Sequence, residues 1–438
     1  MSEAASTDAV GYPAAAKPVV LVIGANGFLG GYIVAALRRH GCRVLRGVRS
    51  PRASDERACD LTQLDANAAA LASAGFDVVV NAAGILRETG GQTFEAVHTD
   101  GPMSVARACI ASGVPRFVQV SALGASEDGE FIASKHRFDA ELLALPLSSV
   151  VLRPSVVYSV SGSYGGTSLL RALAAMPGAT WLPGAGHWPV QPVAAEDLAE
   201  IVARAACSDV SGIYEVGGPA PISLRDYQRS WRRWLRVPGE RAIHVPEWLV
   251  SAQVWLWERI GSGPVGMTMW RMLRRGNVTA PDAPQRLQAA FGMAPRALDD
   301  ALELQPCQVQ DRWQAQLYFL APALRIAVVA LWLLSSLAGF LTPASKILHM
   351  AGDSVLQQFS PVIMARAGGV LDAVLALWLA SGWRPRGAII VMSVTVIAYT
   401  ALLGAMIPAL WLDPLGGLAK NLVILPALAV LWVLAERR

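Results

Sequence analysis

From Leu317 to Ala435 the sequence passes through four long apolar stretches with few charges, at 317–341, 361–383, 387–412 and 415–435. Each is long enough to cross about 30 Å of hydrocarbon as a helix, so this part is expected to fold as an all-α four-helix transmembrane bundle. The front of the chain is of another kind. The apolar run Val19-Val20-Leu21-Val22-Ile23 leads into Gly24-Ala25-Asn26-Gly27-Phe28-Leu29-Gly30, and a helical stretch follows from Tyr32 to Arg39. Strand, glycine turn and helix follow in that order, and the GxxGxxG spacing lets the backbone bend tightly and aim amides and a helix N-terminus at a pyrophosphate. Whatever the front half does with a dinucleotide, it is expected to do at a bilayer surface.

Composition fits that division. Hydrophobic residues make up 53% of the chain and charged residues 16%, with most charges before Arg325. A net charge of +4 is too small, and too much of it lies beside apolar segments, to be a nucleic-acid footprint. Cys42, Cys59, Cys109, Cys207 and Cys307 are odd in number and lack CxxC spacing or neighbouring histidines. They indicate neither a disulfide framework nor a metal site, and read as small core residues in a reducing compartment. Residues 1–16 lack the basic start and apolar run of a secretory signal and read as a disordered lead-in, which leaves the following domain on the cytoplasmic side.

Residues 17–310 read as one α/β domain, a Rossmann doubly wound parallel sheet with a small substrate lobe, and 311–438 as the membrane domain. Further strands are expected at Arg43–Val48, Asp77–Asn81, Arg116–Ser121 and Ser149–Arg153, with helices between them. The second strand ends at Arg49, where an NAD-preferring protein places a carboxylate for the ribose 2′-hydroxyl. A guanidinium there, with Arg46 and Arg52 nearby, favours NADP, with NAD as the alternative.

These pieces, with Asp60-Leu61, Asn81 to Gly84, Ser121 to Ala125, Arg153 to Tyr158, Gln191 to Val193, Glu196 to Ala199 and Tyr214 to Pro219, resemble the extended or atypical short-chain dehydrogenases/reductases. More narrowly they are similar to the group of the nucleotide-binding accessory subunit of respiratory complex I. The resemblance implies that Asp60 and Leu61 lie near the adenine and Ala82, Ala83 and Gly84 beside the ribose. It also implies a working tyrosine and lysine one helical turn apart, with a serine before them. In Phe131-Ile132-Ala133-Ser134-Lys135 the lysine is present, as is Ser121, but Phe131 stands at the tyrosine position. Either the chemistry uses another acid, with Tyr158 and Tyr164 within possible reach of the crevice, or the nucleotide is bound without turnover. His98 reads as a satisfied core histidine facing the same neighbourhood.

From Ser159 to Glu303 a substrate lobe is expected, in which Trp231, Trp234, Trp248, Trp255, Trp257 and Trp270 serve as core, rim or headgroup contacts. The spans resemble the DoxX-like four-helix membrane family through Arg312-Trp313, Leu331-Trp332, Gly369 to Asp372, Trp411 to Pro414 and Lys420-Asn421. Arg312, Arg325, Arg384, Arg386, Arg437 and Arg438 share one side if both termini are cytoplasmic, as the positive-inside bias in an inner membrane requires. Asp372 and Tyr399 fall near mid-span, and Arg366 and Lys420 nearer the outer side with Asp413. The set is either a structural hydrogen-bond group or a quinone headgroup or proton path. The whole reads as a membrane-anchored NAD(P)H-binding oxidoreductase that passes hydride to a lipophilic acceptor such as a quinone. The alternative is a non-catalytic assembly factor or redox sensor with a membrane protein partner.

Overall fold

The computed structural model describes residues 17–63, 75–162, 165–260, 266–352, 358, 360–412 and 417–435. The expected lead-in 1–16, and Tyr164, Asp413, Arg437 and Arg438, lie outside the described residues. The chain divides into two units, Met1–Ala315 and Gln316–Arg438.

In the first unit the apolar run Val19–Ile23 forms β1, an interior strand of a seven-stranded sheet with β2 (Arg43–Val48), β3 (Glu56–Ala58), β4 (Val78–Asn81), β5 (Arg116–Val120), β6 (Ser148–Pro154) and β7 (Gly212–Val216). The order is β7-β6-β5-β4-β1-β2-β3, and every pairing is parallel. β4 and β5 are buried along their whole length, polar Asn81, Arg116 and Gln119 included, as a sheet covered on both faces requires. On one face α1 (Phe28–Arg39) packs its buried Ile33, Val34 and Leu37 with Leu198 and Val202 of a helix over Ala195–Ala206. On the other, α2 (Gly101–Ala111) and α3 (Glu130–Ala144) bury Val105, Phe138 and Leu142 against Phe117 and Val79.

β1 pairs with β2 on one side and β4 on the other, so successive crossovers leave in opposite directions at this point. The carboxyl ends of β1 and β4 therefore border a crevice where a doubly wound sheet takes its ligand. The substrate lobe has a core of its own around Tyr158, Leu182, Tyr227 and Trp231.

Three helices, α4 (Val309–Leu341), which begins in the first unit and runs on into the second, α5 (Pro361–Ser381) and α6 (Pro385–Met406), are long and apolar enough to cross a membrane. The fourth apolar segment forms a shorter helix, α7 (Asn421–Leu434), after a turn of 3-10 helix at Leu418–Lys420. The third stretch, expected to continue to Leu412, ends at Met406, because Pro408 disfavours helical geometry at Ile407 and that residue turns to φ −133°. Val328, Trp332, Leu375, Leu379, Ile389, Met392 and Leu428 form the bundle core, while Leu334, Leu377 and Val394 are more than half exposed on apolar outer faces. Such faces belong in lipid.

At Gly339 and Gly369 the backbones of α4 and α5 meet closely: a Cβ on Gly339 would lie 2.9 Å from the Ala365 carbonyl oxygen and 3.1 Å from Cα of Gly369. Small residues are the usual means of such approach between membrane helices. Gly369→Leu should push the pair apart and cost about 1–3 kcal/mol by overpacking, read as a lower Tm of the full-length protein in detergent.

Candidate functional site at the carboxyl ends of the sheet

The glycine turn has no room for side chains on its inner surface. Gly24 has φ +77°, and a Cβ on it would stand 2.9 Å from the Ala83 backbone, while one on Gly30 would stand 2.1 Å from the Gly24 carbonyl oxygen. The Gly27 amide donates to that same oxygen at 2.9 Å, and no side chain caps the start of α1. Phe28 and Tyr32 meet the loop after β6: the Tyr32 and Ser159 hydroxyls are 2.6 Å apart. Leu29 packs into the core beneath. A turn, a helix start and the Ala82–Gly84 backbone are thus brought together in one cradle, with geometry of the kind that can accept a phosphate.

At the end of β2, Arg46 is held by Asp55 through two bonds, Nε at 3.0 Å and an η-nitrogen at 2.9 Å. It also donates to Asn26 Oδ1 at 3.3 Å and pairs with Glu56 at 3.1 Å. Asp55 is held below the usual carboxylate range by the Arg46 hydrogen bond. Arg49 is exposed just beyond the strand. Asp60 accepts from the Thr62 hydroxyl at 2.7 Å, and Leu61 is buried beside it.

Asn81 closes β4 by donating to Gln119 at 2.8 Å and accepting from the Ala83 amide at 3.2 Å. These bonds fix the Ala82–Gly84 backbone. Lys135 reaches the same place from α3, its Nζ 3.3 Å from where a Cβ on Gly84 would be and 3.3 Å from the Val120 carbonyl oxygen to which it donates. Burial lowers the Lys135 ammonium to about 8, against the opposing charge of Asp139.

His98 sits beside it with both ring nitrogens engaged. Nε2 accepts from the Ile85 amide at 3.0 Å, so it carries no proton, and Nδ1 faces the Ser134 hydroxyl at 3.0 Å. Ser134 in turn donates to the Glu130 carbonyl oxygen, which leaves its oxygen to accept from Nδ1. Burial, then the Lys135 charge, depress His98 to about 2, so the ring is neutral. Phe131 lies edge-on to it with ring centroids 5.5 Å apart. The position where a phenol was expected is therefore an apolar wall of Phe131, Phe94 and a neutral imidazole.

Ser121 is 4% exposed, and its hydroxyl donates to Asp139 Oδ2 at 2.7 Å, an oxygen that also accepts from Arg153 Nε at 2.9 Å. Asp139 was not anticipated from the sequence, although it lies one turn beyond Lys135, the i, i+4 spacing that signals a paired lysine and carboxylate. Tyr158 is buried with its ring edge-on to Trp231, so it supplies no replacement phenol to the crevice. Of the six lobe tryptophans, Trp231 and Trp270 are core, and Trp248 and Trp255 are 72% and 49% exposed.

In the membrane unit, Arg366 donates to the Gly339, Phe340 and Thr342 carbonyl oxygens and so caps the end of α4. Asp372 is buried and accepts from the Ser335 hydroxyl at 2.6 Å. Tyr399 lies on the same side: its hydroxyl is 3.2 Å from where a Cβ on Gly368, one turn before Asp372, would be. Lys420 is exposed at the start of α7.

Residues 20–217 match the NAD dependent epimerase/dehydratase family and residues 329–432 the DoxX-like family. The chain thus carries matches to two different family models, one in each unit. It is a membrane protein with an NAD(P)-binding Rossmann domain. Over 247 residues it is 29% identical to the mitochondrial NADH dehydrogenase (ubiquinone) 1 alpha subcomplex subunit 9 of Arabidopsis thaliana, covering 50% of this chain and 60% of that one. Over 151 residues it is 32% identical to a ceramide reductase of Caulobacter vibrioides, covering 33% and 47%. The matches span 60% or less of the length of these relatives. A human epimerase family protein determined with NADPH has the same fold, with a TM-score of 0.51 at 21% identity over 65% of this chain and 98% of that one.

Neighbouring glycines in α1 give the sharpest test of the cradle. Gly30→Ala should lower NAD(P)H affinity at least tenfold in a fluorescence titration, because its Cβ meets the turn backbone at 2.1 Å. Gly31→Ala, with nothing within 4 Å, should leave affinity unchanged and stabilise the helix by about 0.5–1 kcal/mol.

Proposed function

We propose that this protein is a membrane-anchored NAD(P)H-dependent oxidoreductase that reduces a lipophilic carbonyl or quinone acceptor, with Lys135 in place of a phenol as the proton source. The observation that carries this reading is the position of Lys135, a buried ammonium lowered to about 8 and facing Gly84 at the mouth of the cradle. Gly24, Asn26, Gly27, Phe28, Leu29 and Gly30 would hold the pyrophosphate, Asp60 and Leu61 the adenosine, and Ala82, Ala83, Gly84 and Lys135 the nicotinamide ribose. Bound NAD(P)H supplies the hydride. The acceptor oxygen then needs one proton, and a desolvated ammonium near neutrality is matched to that transfer. Ser121 acts one step away: with Arg153 it stabilises Asp139, whose charge keeps Lys135 protonated. Phe131 and His98 present an apolar surface suited to an apolar acceptor and exclude water from it.

NADPH is the preferred donor in this reading. Arg46 is already paired with Asp55 and Glu56, so among the described residues at the end of β2 the exposed Arg49, with Arg52 near it, would meet a 2′-phosphate. A lipophilic acceptor is supported by the membrane unit and by the relative named as a ceramide reductase. Ser335, Asp372 and Tyr399 form a hydrogen-bonding group within the bundle that suits a quinone or hydroxyl-bearing lipid headgroup.

A four-pass topology with the first unit in the cytoplasm, in a bacterial-type inner membrane, is supported by the basic end of the bundle. Arg325 donates to the Leu379 and Ala380 carbonyl oxygens at the end of α5, and Arg386 donates to Trp432 near the end of α7. Arg384 stacks on Trp383 at the same end, a cation and aromatic belt of the kind found at the cytoplasmic interface.

The test is oxidation of NADPH and NADH by the full-length protein in detergent, with and without a short-chain quinone or long-chain ketone. Acceptor-dependent oxidation, faster with NADPH and reduced about 100-fold or more in Lys135→Ala, is expected. Tight nucleotide binding with no turnover on any acceptor would instead mark a non-catalytic nucleotide-bound module, to which Phe131 contributes only packing.

A further inference from the structure

Cys42 lies in the turn between α1 and β2, and Cys207 caps the helix Ala195–Ala206 at its carboxyl end. They are 165 residues apart in sequence, yet their sulfurs are 3.7 Å apart. That is contact distance, from which the sulfurs have to approach further to reach a bond of about 2.05 Å. Both belong to one core, in which α1 and the Ala195–Ala206 helix share a face of the sheet. They also lie at the edge of the sheet opposite the crevice, since Cys42 precedes the first residue of β2.

The two thiols have unequal surroundings. Cys207 is half-buried and reachable, whereas Cys42 is 6% exposed behind it. The Cys42 thiol, then His40 and Arg116, hold Cys207 below the ordinary thiol range, and the same contact with burial pushes Cys42 up. Arg116 is fixed around Cys207 by donating to the Ala205 and Val210 carbonyl oxygens, both at 2.7 Å. His40 is fixed by Glu200 at 2.8 Å. An accessible sulfur beside the Arg116 guanidinium, backed by a second sulfur in contact, is the arrangement of an attacking and a resolving cysteine.

We infer that Cys42 and Cys207 are a redox modification site, forming a reversible intramolecular disulfide on exposure to a peroxide. The Cys207 thiolate attacks one peroxide oxygen, an S–O bond forms, the O–O bond breaks, and the second oxygen leaves as water after taking a proton. Cys42 then attacks the sulfenic sulfur, the S–S bond forms, the S–O bond breaks, and the hydroxyl leaves as water with the Cys42 proton. Two thiols and one peroxide become one disulfide and two waters. The site is independent of the nucleotide reading and of Lys135.

The experiment treats the full-length protein in detergent with hydrogen peroxide, blocks remaining thiols, and maps peptides by mass spectrometry. The expected product is a cross-linked peptide joining residues 42 and 207, about 2 Da lighter than the two reduced peptides together and reversed by dithiothreitol. In Cys42→Ala, Cys207 should instead accumulate as sulfenic and sulfinic acid, and in Cys207→Ala, Cys42 should stay reduced. The idea fails if the wild-type map shows both thiols still open to alkylation at peroxide doses that oxidise other proteins' sensor cysteines, or shows Cys207 as sulfinic acid with no cross-link. Because the cross-link is read in the wild-type chain, misfolding of either variant leaves that outcome unaffected.

Discussion

The first unit depends on one close approach, that of Gly30 to the Gly24 carbonyl oxygen. Without a Cβ at position 30, α1 starts directly against the turn that ends β1, and the turn in turn lies against the backbone of Ala83. Strand, helix and the end of β4 are drawn to one point, which is also where the chain order of the sheet reverses. The crevice follows from that geometry. Its lining is then decided by which residues stand at the ends of β2, β4 and β5 and on the first turns of α3.

The second determinant is a buried charge group. Asp139 Oδ2 accepts from Ser121 and Arg153, its Oδ1 is buried with no hydrogen-bond partner among the described residues, and its charge acts on Lys135 one turn away; burial raises Asp139 and the bonds from Ser121 and Arg153 restrain it. A lone ammonium in that position would be too costly to keep. With Asp139 one turn away it remains charged near neutrality, and under the proposed function it is the proton donor that stands where the family resemblance would put a phenol.

Much of this was legible in the sequence. The run Val19–Ile23 followed by glycines three apart specifies strand, turn and helix locally, and the apolar runs of β1 and β4 mark strands covered on both faces. Lys135 and Phe131 were readable because their spacing along one helix is fixed. Other features were not readable, each for a physical reason. Asp139 belongs to a network whose other members lie 14 and 18 residues away and meet only in the fold. Arg46 was legible as a cation but not as one neutralised by Asp55, which comes from a separate strand turn. Apolarity marked the stretch up to Leu412 as one span, yet a single proline at 408 ends the helix early, and the last segment makes a shorter helix. Arg366 and Lys420 were grouped by depth alone; the first is used to cap α4 and the second stays exposed.

The pH dependence of acceptor reduction tests the central claim most directly. If Lys135 supplies the proton, turnover at saturating NADPH is full while the ammonium is charged and falls as pH rises through about 8, the value to which burial lowers it. In Lys135→Arg, whose guanidinium stays charged, that fall should vanish along with most of the rate. A profile flat across this range in the wild-type protein, or one with the same inflection in Lys135→Arg, would contradict the account.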